Sequence, residues 1–150
     1  MLKLNETPVR TSRNFNINNI KIDDIEMPKG IKEFYNIDII KESEDLTVNE
    51  DIQSLDLTYG LCDELDRMGN QDSNCKLKLE INDKNKKTNR IIFSFDEENK
   101  VLIENIEIVA NENSKSNIII DYESDENGEF FHNGILFYFI FNLNKIFNFK

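Results

Sequence analysis

Residues 110–134 read ANENSKSNIIIDYESDENGEFFHNG, and the fold turns on how this stretch is read. A polar turn, Asn111, Glu112, Asn113 and Ser114, precedes the apolar triplet Ile118, Ile119 and Ile120, which runs into Asp121 and Tyr122. That pattern predicts a short buried strand entered from a tight turn. A second polar loop, residues 124–129, leads to Phe130, Phe131, His132, Asn133 and Gly134. The glycine there predicts a left-handed or otherwise cramped backbone.

Upstream of this stretch the hydrophobic period is two. Leu77, Leu79 and Ile81 alternate with Lys76, Lys78 and Glu80, and Ile91, Phe93 and Phe95 alternate with Ile92, Ser94 and Asp96. Ile106 and Ile108 face one way and Glu107 the other. These are half-buried strands, because successive side chains of a strand point to opposite faces. Their centres, near 79, 93, 106 and 119, are separated by turns rich in Asn, Asp, Lys and Ser. The spacing fits an antiparallel meander as well as successive walls of a β-solenoid. Either arrangement points Leu79, Phe93, Ile106 and Ile118 or Ile120 into a common core.

As a string, residues 110–134 resemble the core of the SufB/SufD family, the scaffold proteins of the bacterial SUF machinery for iron–sulfur cluster assembly. In that family a strand ending near Asp-Tyr is followed by a loop and then by Phe-His-Asn-Gly, which here are Phe131, His132, Asn133 and Gly134. The opening Leu4, Asn5, Glu6, Thr7, Pro8, Val9, Arg10, Thr11 is similar to the start of SufD-like proteins, although Ser12 stands where an aromatic residue is common. Tyr59, Gly60, Glu64 and Leu65 are similar to their pre-core helix. The resemblance implies a partial right-handed parallel β-helix and a non-catalytic, SufD-like scaffold. It also implies SufB and SufC as partners, with the iron–sulfur cluster handled by the full complex and no cofactor held in this chain.

Residues 1–58 show no sustained period. Ile17, Ile20, Ile22 and Ile25 suggest an irregular extended arm, and Ile37, Ile39 and Ile40 a short strand or turn of helix before an acidic run. A helix is expected over residues 60–68: Leu61, Leu65 and Met68 share a face, Asp63 and Glu64 lie in the first turn, and Gly69-Asn70 provides a stop. The expected division is an irregular and helical region over 1–75, the start of the β-helix core over 76–135, and an aberrant hydrophobic tail over 136–150.

Composition bounds the function classes. Of the 150 residues, 48 are Leu, Ile, Val or Phe, enough to expect folding rather than disorder. Ala110 is the only alanine, while Ile and Phe are abundant, which favours strands over helices. With 29 acidic against 18 basic residues and a net charge of −11, the chain lacks the basic footprint that nucleic acid or an anionic membrane requires. The N-terminus lacks the apolar segment of a signal peptide, so the expected location is the cytoplasm. Cys62 and Cys75 are too far apart for a CxxC pair and too few for a zinc site.

No catalytic, cofactor-binding or metal-ligating residue is assigned. His132 is the only histidine, and a role as ligand or base needs partners that no motif spacing supplies, so a structural role hydrogen-bonding its turn is expected. Asp121, Glu123 and Asp125 alternate like the first ligands of a calcium loop, but Glu126 and His132 stand where an EF-hand needs Gly and Glu. The chain contains no GxxxxGK[ST], GxGxxG or GxSxG, and no enzyme activity is expected.

After Ile135 the family pattern is lost. The tail LFYFIFNLNKIFNFK uses six residue types that can all be encoded with A and T alone, and Phe137, Tyr138, Phe139, Ile140 and Phe141 form an apolar run with no alternation. A frameshifted or truncated product of an AT-rich gene is expected, lacking the SufC-docking part. The run reads as aggregation-prone, so self-association is expected, relieved by deleting residues 136–150. The competing reading is a free-standing acidic β domain that binds another protein.

Overall fold

The structure, a computed structural model, describes residues 2–4, 20–22, 26–50, 63–124 and 128–141. Among the described residues the chain is mainly β, with one short helix. β1 (Leu2–Leu4) and β2 (Ile20–Ile22) form an antiparallel pair. The elements that follow are β3 (Ile37–Lys41), β4 (Leu46–Glu50), α1 (Asp63–Gln71), β5 (Cys75–Ile81), β6 (Lys87–Phe95), β7 (Val101–Ala110), β8 (Ser116–Ser124) and β9 (Phe131–Ile140). Their strands form two further sheets, ordered β3-β6-β8 and β4-β5-β7-β9.

Strands β5 to β9 change sheet at every step, and each pairs in parallel with the strand two places on. An antiparallel meander is thereby excluded for this region. Cys75 faces Glu104 and Lys87 faces Ser116, an offset of 29 residues in each case, while Val101 faces Phe131, an offset of 30. Because side chains alternate along a strand, an in-register parallel ladder stacks like on like. The columns are apolar: Val48, Leu79, Ile108 and Tyr138 run across one sheet, and Ile39, Ile91 and Ile120 across the other.

Both sheets turn these columns toward one core. Leu77, Leu79 and Ile81 of β5, Ile91, Phe93 and Phe95 of β6, and Leu102, Ile106 and Ile108 of β7 are buried together, with Ile118 and Ile120 of β8 packed against them. The core residues expected from the alternation are therefore all present. The turns stack as well: Asn111 donates its backbone N–H to the Ile81 carbonyl and its side-chain amide to Asn82 Oδ1 (2.6 Å). Asn113 adopts φ 62°, a left-handed conformation that asparagine tolerates better than most residues.

β3 and β4 run antiparallel to β6 and β5 and occupy one edge of each sheet. The segment read from sequence as irregular thus contributes two strands to the same core, with Phe34 and Leu46 buried in it. The isoleucines at 17 and 25 lie outside the described residues, as do Leu61 and Cys62 of the expected helix.

Three local expectations differ from the structure. The helix does not stop at Gly69-Asn70 but continues to Gln71. Gly69 is there for proximity: a Cβ at this position would lie 2.3 Å from Ile135 Cδ1, so glycine lets α1 approach β9. Phe131 to Gly134 are not a turn but the first residues of β9, paired with Val101 to Glu104. Gly134 has no positive φ, and β9 runs on to Ile140 across the 135/136 boundary read from the sequence.

Candidate functional site

The inward face of β7 carries one charged residue. Leu102, Ile106 and Ile108 on that face belong to the core, and Glu104 sits among them with only 4% of its surface exposed. It occupies the column Cys75, Glu104, Gly134. Tyr122 reaches across from β8 and donates its hydroxyl to Glu104 Oε1 at 2.5 Å, and His132 Nε2 lies 3.4 Å from the same oxygen. Glu104 Oε2 is buried with no hydrogen-bond partner.

The surroundings hold this arrangement in place. The Tyr122 ring stacks on Phe93 (centroids 5.5 Å apart, planes at 14°) and lies against the His132 ring at 4.4 Å. Gly134 lets the carboxylate and the imidazole pack closely against β9. A Cβ there would meet Glu104 Oε1 at 2.6 Å and His132 Nε2 at 3.1 Å. The result is a closed cluster in which phenol and imidazole cover a buried carboxylate.

Burying a carboxylate without a full set of partners costs several kcal/mol, on the order of the penalties seen for desolvated ions. The imidazole supplies a counter-charge only when protonated. Burial, and then the hydrogen bond and charge of Glu104, push the Tyr122 phenol up, so it stays neutral and donates. Burial, followed by the charges of Glu104 and Glu50, pushes the Cys75 thiol up from 9.0 to about 12. Such a thiol is a packing group and not a nucleophile.

This shift has a sign. A thiol whose proton is held more tightly in the folded chain contributes stability that is complete below the unfolded value near 9.0 and is lost as pH rises toward about 12. Tyr122 acts in the same direction at higher pH. Urea midpoints measured between pH 7 and 11 should therefore fall above about pH 9, and Cys75→Val should flatten that fall. An unchanged alkaline limb in the variant would remove Cys75 as its source.

The residues singled out from sequence are dispersed. His132 joins this cluster, but as a strand residue beside Glu104 and not as a turn residue. Asp121 pairs with Arg90 Nε at 3.1 Å, Glu123 is exposed on β8, and Asp125 lies outside the described residues. An extended strand cannot wrap its carboxylates around one ion, so the calcium-loop pattern ends here. Among the described residues no three His, Cys, Asp or Glu side chains converge to hold a metal ion, and no helix is long and apolar enough to cross a membrane. A separate groove of about 910 Å³ between residues 28–34 and β5 mixes Lys32, Glu33 and Glu50 with Ile31, Phe34 and Leu77.

Comparison with family models, curated proteins and solved structures finds no match to this chain. The site is therefore read from its own chemistry. Sequence reasoning missed Glu104 and Tyr122, and a signal for the first was present. In a strand whose inward positions are Leu102, Ile106 and Ile108, parity alone places Glu104 inside.

Proposed function

We propose that this chain is a SufD-like, non-catalytic scaffold piece of the SUF iron–sulfur cluster assembly system, and that strands β5 to β9 are the first coils of a right-handed parallel β-helix. One observation carries the reading. The strands that contain the Suf-like stretch pair in parallel at offsets of 29 and 30 residues, with their turns stacked. A solenoid coil buries its apolar face against neighbouring coils, which is what the columns of Leu, Ile and Phe accomplish here. In this reading SufB and SufC are the partners, the location is the cytoplasm, and the cluster is cargo of the assembled complex.

The DNA that follows codon 150 tests the proposal. Further repeats of the same length, in any reading frame, support it. Their absence, together with a stable monomeric product, overturns it in favour of a free-standing acidic β domain. That second reading has its own support in the exposed Leu136, Tyr138 and Ile140 on β9, a contiguous apolar row of the kind that marks protein contacts.

A scaffold piece of this kind should not hold a cluster alone, since clusters need several thiolate or imidazole ligands close together and the chain has two cysteines and one histidine. Anaerobic reconstitution with iron and sulfide should leave no stoichiometric iron after desalting. Retention of a cluster per chain would refute this.

A further inference from the structure

Leu136, Tyr138 and Ile140 of β9 stand in the same columns as Ile106, Ile108 and Ala110 of β7. The three on β7 are at most 5% exposed, and Ile118 and Ile120 of β8 pack against the core they belong to. The three on β9 are 37%, 42% and 38% exposed, and among the described residues β8 pairs with β6 alone. One apolar row and one strand edge thus lie next to each other without cover. Residues 142–150, NLNKIFNFK, lie outside the described residues and follow directly on this face. The Phe141 N–H is donated to the Ala110 carbonyl, as the Asn111 N–H is donated to the Ile81 carbonyl where the chain turns from β7 into β8. The chain leaves β9 by the same bond with which it leaves β7.

We propose that residues 145–150 of this chain add in parallel to the free edge of β8, with Phe147 beside Ile118 and Phe149 beside Ile120, and cover the apolar row of β9. The direction follows from the sheet, where β6 and β8 already pair in parallel. The reach is sufficient. Five residue steps lead from Ile140 to Lys145 and span up to about 16–18 Å, more than the roughly 10 Å between packed sheets.

The register follows from parity. β6 and β8 pair at an offset of 29 residues, as Ile91 faces Ile120. The same offset carries Ile118 to Phe147 and Ile120 to Phe149, so both phenylalanines join the inward face. It also carries Asp121, on the outward face, to Lys150, an opposite charge across the pair. A slip of one residue would set Asn148 and Lys150 beside Ile118 and Ile120 and turn both phenylalanines to solvent, which the apolar row of β9 disfavours. The inference rests on the pairing of β5 to β9 and stands whether or not the scaffold reading holds.

Disulfide trapping in the full chain tests it. Ile119→Cys with Asn148→Cys, made with Cys62→Ser to remove a competing thiol, places two outward residues side by side. Mild oxidation should close this pair within one chain at least about tenfold faster than Ile119→Cys with Phe149→Cys, whose side chains point to opposite faces. Non-reducing electrophoresis reads both the rate and whether the link lies within or between chains. A faster link at 149, a rate no higher than in denaturing urea, or a link formed only between chains would overturn the proposal; in the last case the occupant is a second copy. A measurement without added thiols guards against misfolding of these variants. Phe147→Asp with Phe149→Asp should speed amide hydrogen exchange across Ile118–Tyr122 by at least about tenfold relative to Asn148→Asp, since uncovering an edge lowers the cost of local opening. Equal exchange in the two variants would also overturn it.

Discussion

Phe93→Ala should lower the free energy of unfolding by about 3–5 kcal/mol, the range for truncating a fully buried aromatic residue. Phe93 has no exposed surface and stands in the column Ile37, Phe93, Tyr122. Its ring stacks on Tyr122 of β8 and meets the edge of Phe34 at 6.1 Å, and Phe34 in turn meets Phe95 at 5.4 Å. One side chain thus connects the antiparallel edge, the middle strand and the far strand of its sheet. Domains of this size are stable by only about 5–15 kcal/mol, so the loss is a large share of the whole. Urea denaturation followed by far-UV circular dichroism measures it. Ile92→Ala, one residue away on the half-buried outward face, is the control and should cost less than about 1.5 kcal/mol. Equal losses in the two variants would show that the column does not carry the fold.

The strands were legible because period two is a direct consequence of backbone geometry, and Leu77, Leu79, Ile81, Ile91, Phe93 and Phe95 obey it without exception. The pairing was not legible in the same way. A spacing of 13 or 14 residues between centres serves a meander and a two-sheet stack equally, and the choice is made by contacts 29 or 30 residues apart that a local pattern does not encode. β4 escaped notice because Leu46-Thr-Val-Asn-Glu50 has only two apolar residues, and it is held by pairing with β5 across the α1 segment.

Glycine misled twice, for one reason. At Gly69 and Gly134 the sequence suggested a helix stop and a cramped turn, both arguments from backbone freedom. In the structure both are arguments from size, since Ile135 packs where a Cβ at Gly69 would be and Glu104 where one at Gly134 would be. Chain neighbours betray the first kind of glycine, whereas the second kind answers to residues 66 and 30 positions away. The Glu104 cluster followed the same course. His132 was visible as the only histidine, but its partners Glu104 and Tyr122 lie on two other strands, and only the pairing and packing of those strands brings the three together.

Deleting residues 136–150 should destabilise the chain and increase its aggregation, the reverse of what the uninterrupted apolar run suggests by itself. Leu136 to Ile140 pair in parallel with Ile106 to Ala110, Phe137 is 7% exposed, and the Phe141 N–H is donated to the Ala110 carbonyl at 3.1 Å. Removing them turns half of β7, a central strand, into an edge and withdraws the cover from Ile106 and Ile108. Loss of Phe137 alone is worth about 3–5 kcal/mol by analogy with buried phenylalanine truncation, and the severed ladder adds to it. The total approaches the whole stability of a small domain. The liability lies in single faces and not in the strand. Tyr138→Thr with Ile140→Thr keeps β-branched or strand-compatible residues, preserves the ladder and reduces exposed apolar surface, so this double variant should gain solubility with little change in melting temperature. Light scattering after size-exclusion chromatography, with thermal melts of the full chain, the deletion and the double variant, separates the cases. A monomeric deletion variant that melts with the full chain would mean that β9 is dispensable to the fold.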